Sequence, residues 1–126
     1  PGNDSQDLRV YYTAYKPLGT NIYVYYKLLD ANDPTKFDDN SWQLMTDIGI
    51  NKNVYSTTRD DLYEFETAPG TNNVASNQIS YTNPSGSTYT SFIQFAIKVV
   101  MTTSDKTTVP FLTDIRAMAL PSGTGI

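Results

Sequence analysis

The chain has 126 residues, a formal charge of −4, and neither histidine nor cysteine. Those two absences exclude Ser-His-Asp and Cys-His triads, zinc or haem held by His or Cys, and any disulfide framework. The acidic balance, with Lys and Arg scattered singly, excludes the basic stripe that a nucleic-acid partner requires.

A chain of this length buries roughly two-thirds of its unfolded surface and can hold a core without staples. No apolar run approaches the ~20 residues of a membrane-spanning helix, and no charged-then-apolar leader opens the chain. It begins at Pro1, and we expect residues 1–6 and 122–126 to be linkers or cut ends around one domain at 7–121.

The apolar period is two. In residues 8–15, Leu8, Val10, Tyr12 and Ala14 share one face, and Arg9, Tyr11, Thr13 and Tyr15 share the other. Residues 22–29 repeat the pattern, with Ile22, Val24, Tyr26 and Leu28 opposite Tyr23, Tyr25, Lys27 and Leu29. Pro17 and Gly19 sit in the link, so the pair reads as an antiparallel hairpin. Residues 30–41 form an Asp/Asn-rich loop, followed by a short run from Trp42 to Met45, with Trp42 expected in the core. After Val54-Tyr55 comes a strand at 62–67, with Tyr63 and Phe65 inward and Glu64 and Glu66 outward. Residues 68–78 carry turn chemistry. Ile79 and Tyr81 alternate briefly, and Asn83-Pro84-Ser85-Gly86 is a further turn.

The longest strand spans 92–101, with Ile93, Phe95, Ile97, Val99 and Met101 on one face and Gln94 and Lys98 on the other. Its mostly apolar make-up predicts a central strand covered on both faces. A polar turn at 103–106 leads to residues 109–120. There Phe111, Ile115 and Met118 fit a helix, while Val109, Phe111, Ile115, Ala117 and Ala119 share one side of a strand. We read strand, because a lone helix would have to cap a sheet by itself. Seven or eight short strands between turn signals predict an all-β, antiparallel β-sandwich of jelly-roll type.

The chemistry-bearing candidates are few. Asp30, Asn32 and Asp33 open like a calcium loop, but Pro34 takes the fifth position and Ser41 the twelfth, so the EF-hand pattern fails. Asp38 and Asp39 are weaker metal candidates, in a loop better read as solvated, and no metal or cofactor is expected. Asp60-Asp61 reads as a turn, and Glu64 and Glu66 share one outer strand face, so neither pair suits glycoside hydrolysis. No Ser-x-x-Lys or Gly-rich phosphate loop occurs, and we expect no enzyme. If the two N-terminal strands pair, Tyr11, Tyr15, Tyr23 and Tyr25 lie together on the outer face. Such a set serves either cross-strand packing or contact with a partner. Trp42, Tyr55, Arg59 and Tyr89 are the candidates for stacking on a sugar.

Three stretches carry a resemblance: LRVYYTAYKPLGTNIYVYYKLL followed by FDDNSWQLM, then YEFETAPGTNN, then FIQFAIKVVMTTSDKTTVPFLTDIRAMALP. Together, over residues 7–121, they resemble the β-sandwich domain of virion proteins of T4-like contractile-tailed bacteriophages, especially those of marine cyanobacteria. The long strand, Ser-Asp turn and VP…D-R strand are the most specific element. A similar block recurs in galactose-binding-like jelly rolls. The resemblance implies a structural or adsorption role in a tail, baseplate or fibre, within a virion assembled in the host cytoplasm. Implied partners are other virion proteins, in a homo-oligomer or larger assembly, or a host surface glycan. No family motif of catalytic residues is carried over.

Overall fold

The computed structural model describes residues 5–69, 79–104 and 107–121, and among them every regular element but one is a β-strand. The strands are β1 (Ser5–Tyr15), β2 (Thr20–Leu29), β3 (Gln43–Ile48), β4 (Tyr63–Pro69), β5 (Tyr81–Thr82), β6 (Thr88–Tyr89), β7 (Gln94–Thr103) and β8 (Phe111–Pro121). The exception is a 3-10 turn at Phe37–Asp39. The all-β, antiparallel expectation holds, and the disputed 109–120 stretch is a strand. β1 begins at Ser5, two residues before the expected boundary at residue 7. The expected turn residues 70–78, 105–106 and the tail 122–126 lie outside the described residues.

The strand order is β7-β2-β3-β4-β1-β8, a nearly closed sheet, with β5-β6 as a separate hairpin. β3 makes the corner. Its start pairs with β2 (Tyr25↔Leu44, Tyr26↔Gln43) and its remainder with β4 (Met45↔Pro69 to Ile48↔Glu66). One strand thus joins the β4-β1-β8 side to the β2-β7 side, as corner strands do in packed sheets.

The inward sets are those of the sequence pattern: Leu8, Val10, Tyr12 and Ala14 from β1, and Ile22, Val24, Tyr26 and Leu28 from β2, all buried. Met45, Phe65, Ile79, Tyr81 and Phe92 complete the cluster, with Tyr12 stacked on Phe65 at 5.2 Å. Each large apolar side chain so buried contributes about 1.5–3 kcal/mol.

β1 and β2 are not a hairpin. β1 pairs with β4 and β8, β2 pairs with β3 and β7, and residues 16–19 arch from one side of the core to the other. Ser56 holds that arch: its N–H donates to the Lys16 carbonyl (2.7 Å), and its Oγ accepts from the Lys16 N–H (3.0 Å). Around Val54-Tyr55 there is accordingly a single bridge, Pro17↔Ser56, and no strand. A hairpin and an arch bury the same alternate residues, so the alternation and the Pro/Gly link are satisfied by either.

β7 also departs from expectation. It pairs along its whole length with β2 but stands at the end of the strand order, so it is an edge strand. β8 is the other edge, laddered to β1 from Ser5↔Pro121 to Tyr15↔Phe111, with two irregularities, one between Ser5 and Asp7 and one between Thr13 and Ala14.

Candidate interaction surface

The arch decides where the tyrosines go. Tyr11 and Tyr15 lie on the outer face of β1, Tyr23 and Tyr25 on the outer face of β2, with β3 and β4 between the two strands. The predicted single patch is two separate pairs.

Tyr11, Tyr15 and Tyr25 each have a cation over the ring, whereas Tyr23 is exposed. The Arg116 guanidinium lies 5.4 Å from the Tyr11 ring centre, and the Tyr11 hydroxyl donates to Glu66 (3.4 Å). Burial, then the Glu66 carboxylate, push the Tyr11 phenol up. Tyr15 stacks on Phe111 at 5.2 Å, and Arg59 lies over both rings (5.8 and 5.1 Å). Around Tyr11 runs a charge ladder. Arg9 pairs with Asp7 (2.8 Å) and Glu66 (3.7 Å), and Arg116 with Asp114 (3.7 Å) and Glu64. Glu64 and Glu66 are therefore occupied as ion-pair partners across three strands. Tyr11, Glu64 and Glu66, with residues 48–51, line a shallow depression of about 160 Å³.

On the β2 side, Tyr25 has Lys98 over its ring at 5.2 Å. Trp42 is half-buried rather than in the core cluster, and it carries two ammonium groups, Lys27 and Lys98, each 4.7 Å from its ring centre. Lys27 also lies 5.6 Å from the Phe37 ring and donates to the Asp38 carbonyl (3.4 Å). Cation–π contacts of this kind contribute about 0.5–2 kcal/mol. They explain how Lys27 is buried on a strand face with, among the described residues, a single backbone oxygen as its acceptor. The other sugar candidates stand elsewhere. Tyr55 covers Lys16 at 4.8 Å, Arg59 covers Tyr15, and Tyr89 stacks on Tyr81 at 5.5 Å on the β5-β6 hairpin. The four do not converge on one groove.

The acidic loop is a structural anchor. Asp33, 7% exposed, accepts from Thr35 N–H (2.9 Å), Asn83 (3.0 Å), Tyr81 hydroxyl (2.9 Å) and Asn40 (3.3 Å). Asp30 accepts from Asn32 N–H (2.7 Å) and from the Ser91 hydroxyl. Burial pushes the Asp33 carboxyl up, but the hydrogen bonds from Asn83, Thr35 and Tyr81 outweigh it and hold the group well below the usual carboxylate range. Asp38 and Asp39 lie exposed in the 3-10 turn, and among the described residues no group of three or more metal-ligating side chains forms.

What the sequence reading missed is the open side of the sandwich. Among the described residues β7 and β8 each ladder on one side only, and part of their inner face is exposed: Ile97, Val99 and Leu112 pack on the core, but Phe95 is 36% exposed, Met101 44% and Ile115 43%. Ala117 and Ala119, on the same face as Val10 and Leu8, are exposed as well. The available signal was the apolar run of 92–101, which reads as a central strand covered on both faces. Long, apolar, little-charged edges are templates for further strand pairing. No protein-family model, curated protein or solved structure matches the chain.

Proposed function

We propose that the chain is a non-catalytic structural module that works by packing against neighbouring proteins, and that its setting is the tail, baseplate or fibre of a contractile-tailed phage virion. The observation that carries the first part is the open side of the sandwich, where two edge strands of ten and eleven residues leave core-facing Phe95, Met101 and Ile115 in solvent. A monomer gains nothing from such edges, and an assembly module gains both backbone hydrogen bonds and apolar burial there. The setting rests on the sequence resemblance over residues 7–121.

The test is co-expression of the chain with the tail and baseplate proteins encoded beside it, followed by co-purification. We expect a defined complex that Phe95→Lys and Ile115→Lys each abolish, with circular dichroism unchanged. A complex that survives both substitutions, or none with any neighbour, would overturn the reading.

A second reading, a module that binds a host surface glycan, draws on one observation: the half-buried Trp42 ring has Lys27 and Lys98 each 4.7 Å from its centre, and the same two lysines lie over Phe37 and Tyr25. Aromatic rings stack on sugars, and the paired cations suit acidic ones. A glycan array in which binding to acidic glycans disappears on Trp42→Ala supports it, and an array without hits removes it.

A further inference from the structure

We propose that the open side is closed by a second copy of the chain, with β7 of each protomer pairing antiparallel to β8 of the other about a two-fold axis parallel to the strands. This deepens the packing function proposed above and rests on it, naming the first partner as the chain itself.

Strand direction comes first. Five successive antiparallel pairings separate β7 from β8 in the order β7-β2-β3-β4-β1-β8, so the two edges run in opposite directions. They are also held at the same side of the sandwich. They are consecutive strands, and the Thr103 hydroxyl donates to the Thr108 carbonyl (2.7 Å) across the turn between them. Rotating a copy by a half-turn about an axis along the strands sets its β8 against the first β7, and its β7 against the first β8. Both contacts are antiparallel. Among the described residues, both edges of each six-stranded sheet are then used in a closed dimer, so that neither edge of that sheet propagates into a fibre.

Charge selects the register. Lys98 is the lone charged residue of β7, and Asp114 and Arg116 are those of β8. Lys98 shares the outer face with Tyr25, its partner on β2, and Asp114 shares the outer face with Thr13, its partner on β1. Placing Lys98 opposite Asp114 of the partner keeps every face consistent. Ile97 then meets Ile115 and Phe95 meets Ala117 on the inside, while Gln94 meets Met118 on the outside. Sliding the strands by two residues sets Lys98 against Arg116 in one direction, which is repulsive, and in the other against Leu112, which lies past the register shift and shares the inner face with Ala14. The chosen register also puts exposed Phe95 and Ile115 side by side in the continued core, and β7 acquires the central place that its apolar sequence calls for.

Sedimentation equilibrium between about 1 and 200 µM tests the occupant. We expect a monomer–dimer equilibrium that Lys98→Glu or Asp114→Lys each weakens roughly tenfold, the like-charge contact occurring twice by symmetry. The double variant Lys98→Glu/Asp114→Lys should restore it. The absence of cysteine allows a clean second measurement, because oxidation of Gln94→Cys/Met118→Cys should give a covalent dimer. A monomer at every concentration overturns the dimer, yet leaves the packing function to be judged by co-purification with neighbouring proteins. Species that grow without limit overturn the two-fold. A disulfide formed within one chain shows that the edges close on each other, and also overturns it.

Discussion

At single residues, the energetics concentrate in a few buried polar groups. Asp33 is the acceptor on which Thr35, Asn40, Tyr81 and Asn83 converge, tying loop 30–41 to the β5-β6 hairpin. Hydrogen bonds to a charged group are worth about 1.5–3 kcal/mol each, and losing the acceptor leaves buried donors unsatisfied. Asp33→Ala is therefore expected to cost about 3 kcal/mol in urea denaturation, with the β-sheet signal retained below the midpoint. The same carboxyl sets an acid limb. Its folded value is depressed, so its contribution is fully present above the unfolded value of about 3.9 and fades as pH falls from there toward the folded value. Stability should drop below about pH 4 in the native chain, and less steeply in Asp33→Asn. Tyr12 is the opposite case. Its hydroxyl is buried among Phe65 and other core groups without a hydrogen-bond partner, and burial, then the nearby Asp47, push the phenol strongly up. Tyr12→Phe removes an unsatisfied group, so we expect it to be neutral or to raise stability by up to about 1 kcal/mol on the same denaturation curve.

At the level of elements, two turns show how far local chemistry reaches. The β5-β6 turn closes on itself. Gly86 has φ +94°, its N–H donates to the Asn83 carbonyl (2.9 Å), and Asn83 Oδ1 accepts from Ser87 N–H (2.9 Å). The arch between β1 and β2 also contains a glycine at positive φ (Gly19, +89°), but its partners are distant in sequence. A Cβ on Gly19 would come within 3.1 Å of the Ser104 hydroxyl, whereas one on Gly86 would meet open space. Alanine at either position bears the left-handed backbone cost of about 1–2 kcal/mol. We expect Gly19→Ala to exceed Gly86→Ala in thermal or urea denaturation, the difference reporting the crowding against Ser104.

For the whole molecule, connectivity sets the pace of folding. β1 pairs with β8 across nearly the full chain, and β2 pairs with β7 across some seventy positions. Non-local pairing of this kind folds in roughly milliseconds to seconds, since loop closure precedes the contacts that reward it. Stopped-flow refolding followed through Trp42 is expected to fall in that range, and a microsecond phase carrying the full amplitude would contradict the topology. The same connectivity leaves β7 and β8, consecutive in the chain, as the two edges of the six-stranded sheet.

The sequence by itself determined the all-β class and, residue by residue, which side chains of β1, β2 and β4 turn inward, though not the short β6 or the absence of a strand at Val54-Tyr55. Side-chain direction alternates with every residue, so the apolar set of a half-buried strand is written in the strand itself. The β5-β6 turn was legible for the same reason, being closed by Asn83, Gly86 and Ser87. Only the tertiary structure decided which strands are neighbours. An arch and a hairpin satisfy identical alternation, and the choice was made by Ser56 and by β3 turning the corner, contacts that no local window contains. That choice split Tyr11 and Tyr15 from Tyr23 and Tyr25. It brought Lys27 and Lys98 to Trp42, and it set β7, apolar enough for the middle of a sheet, at the edge.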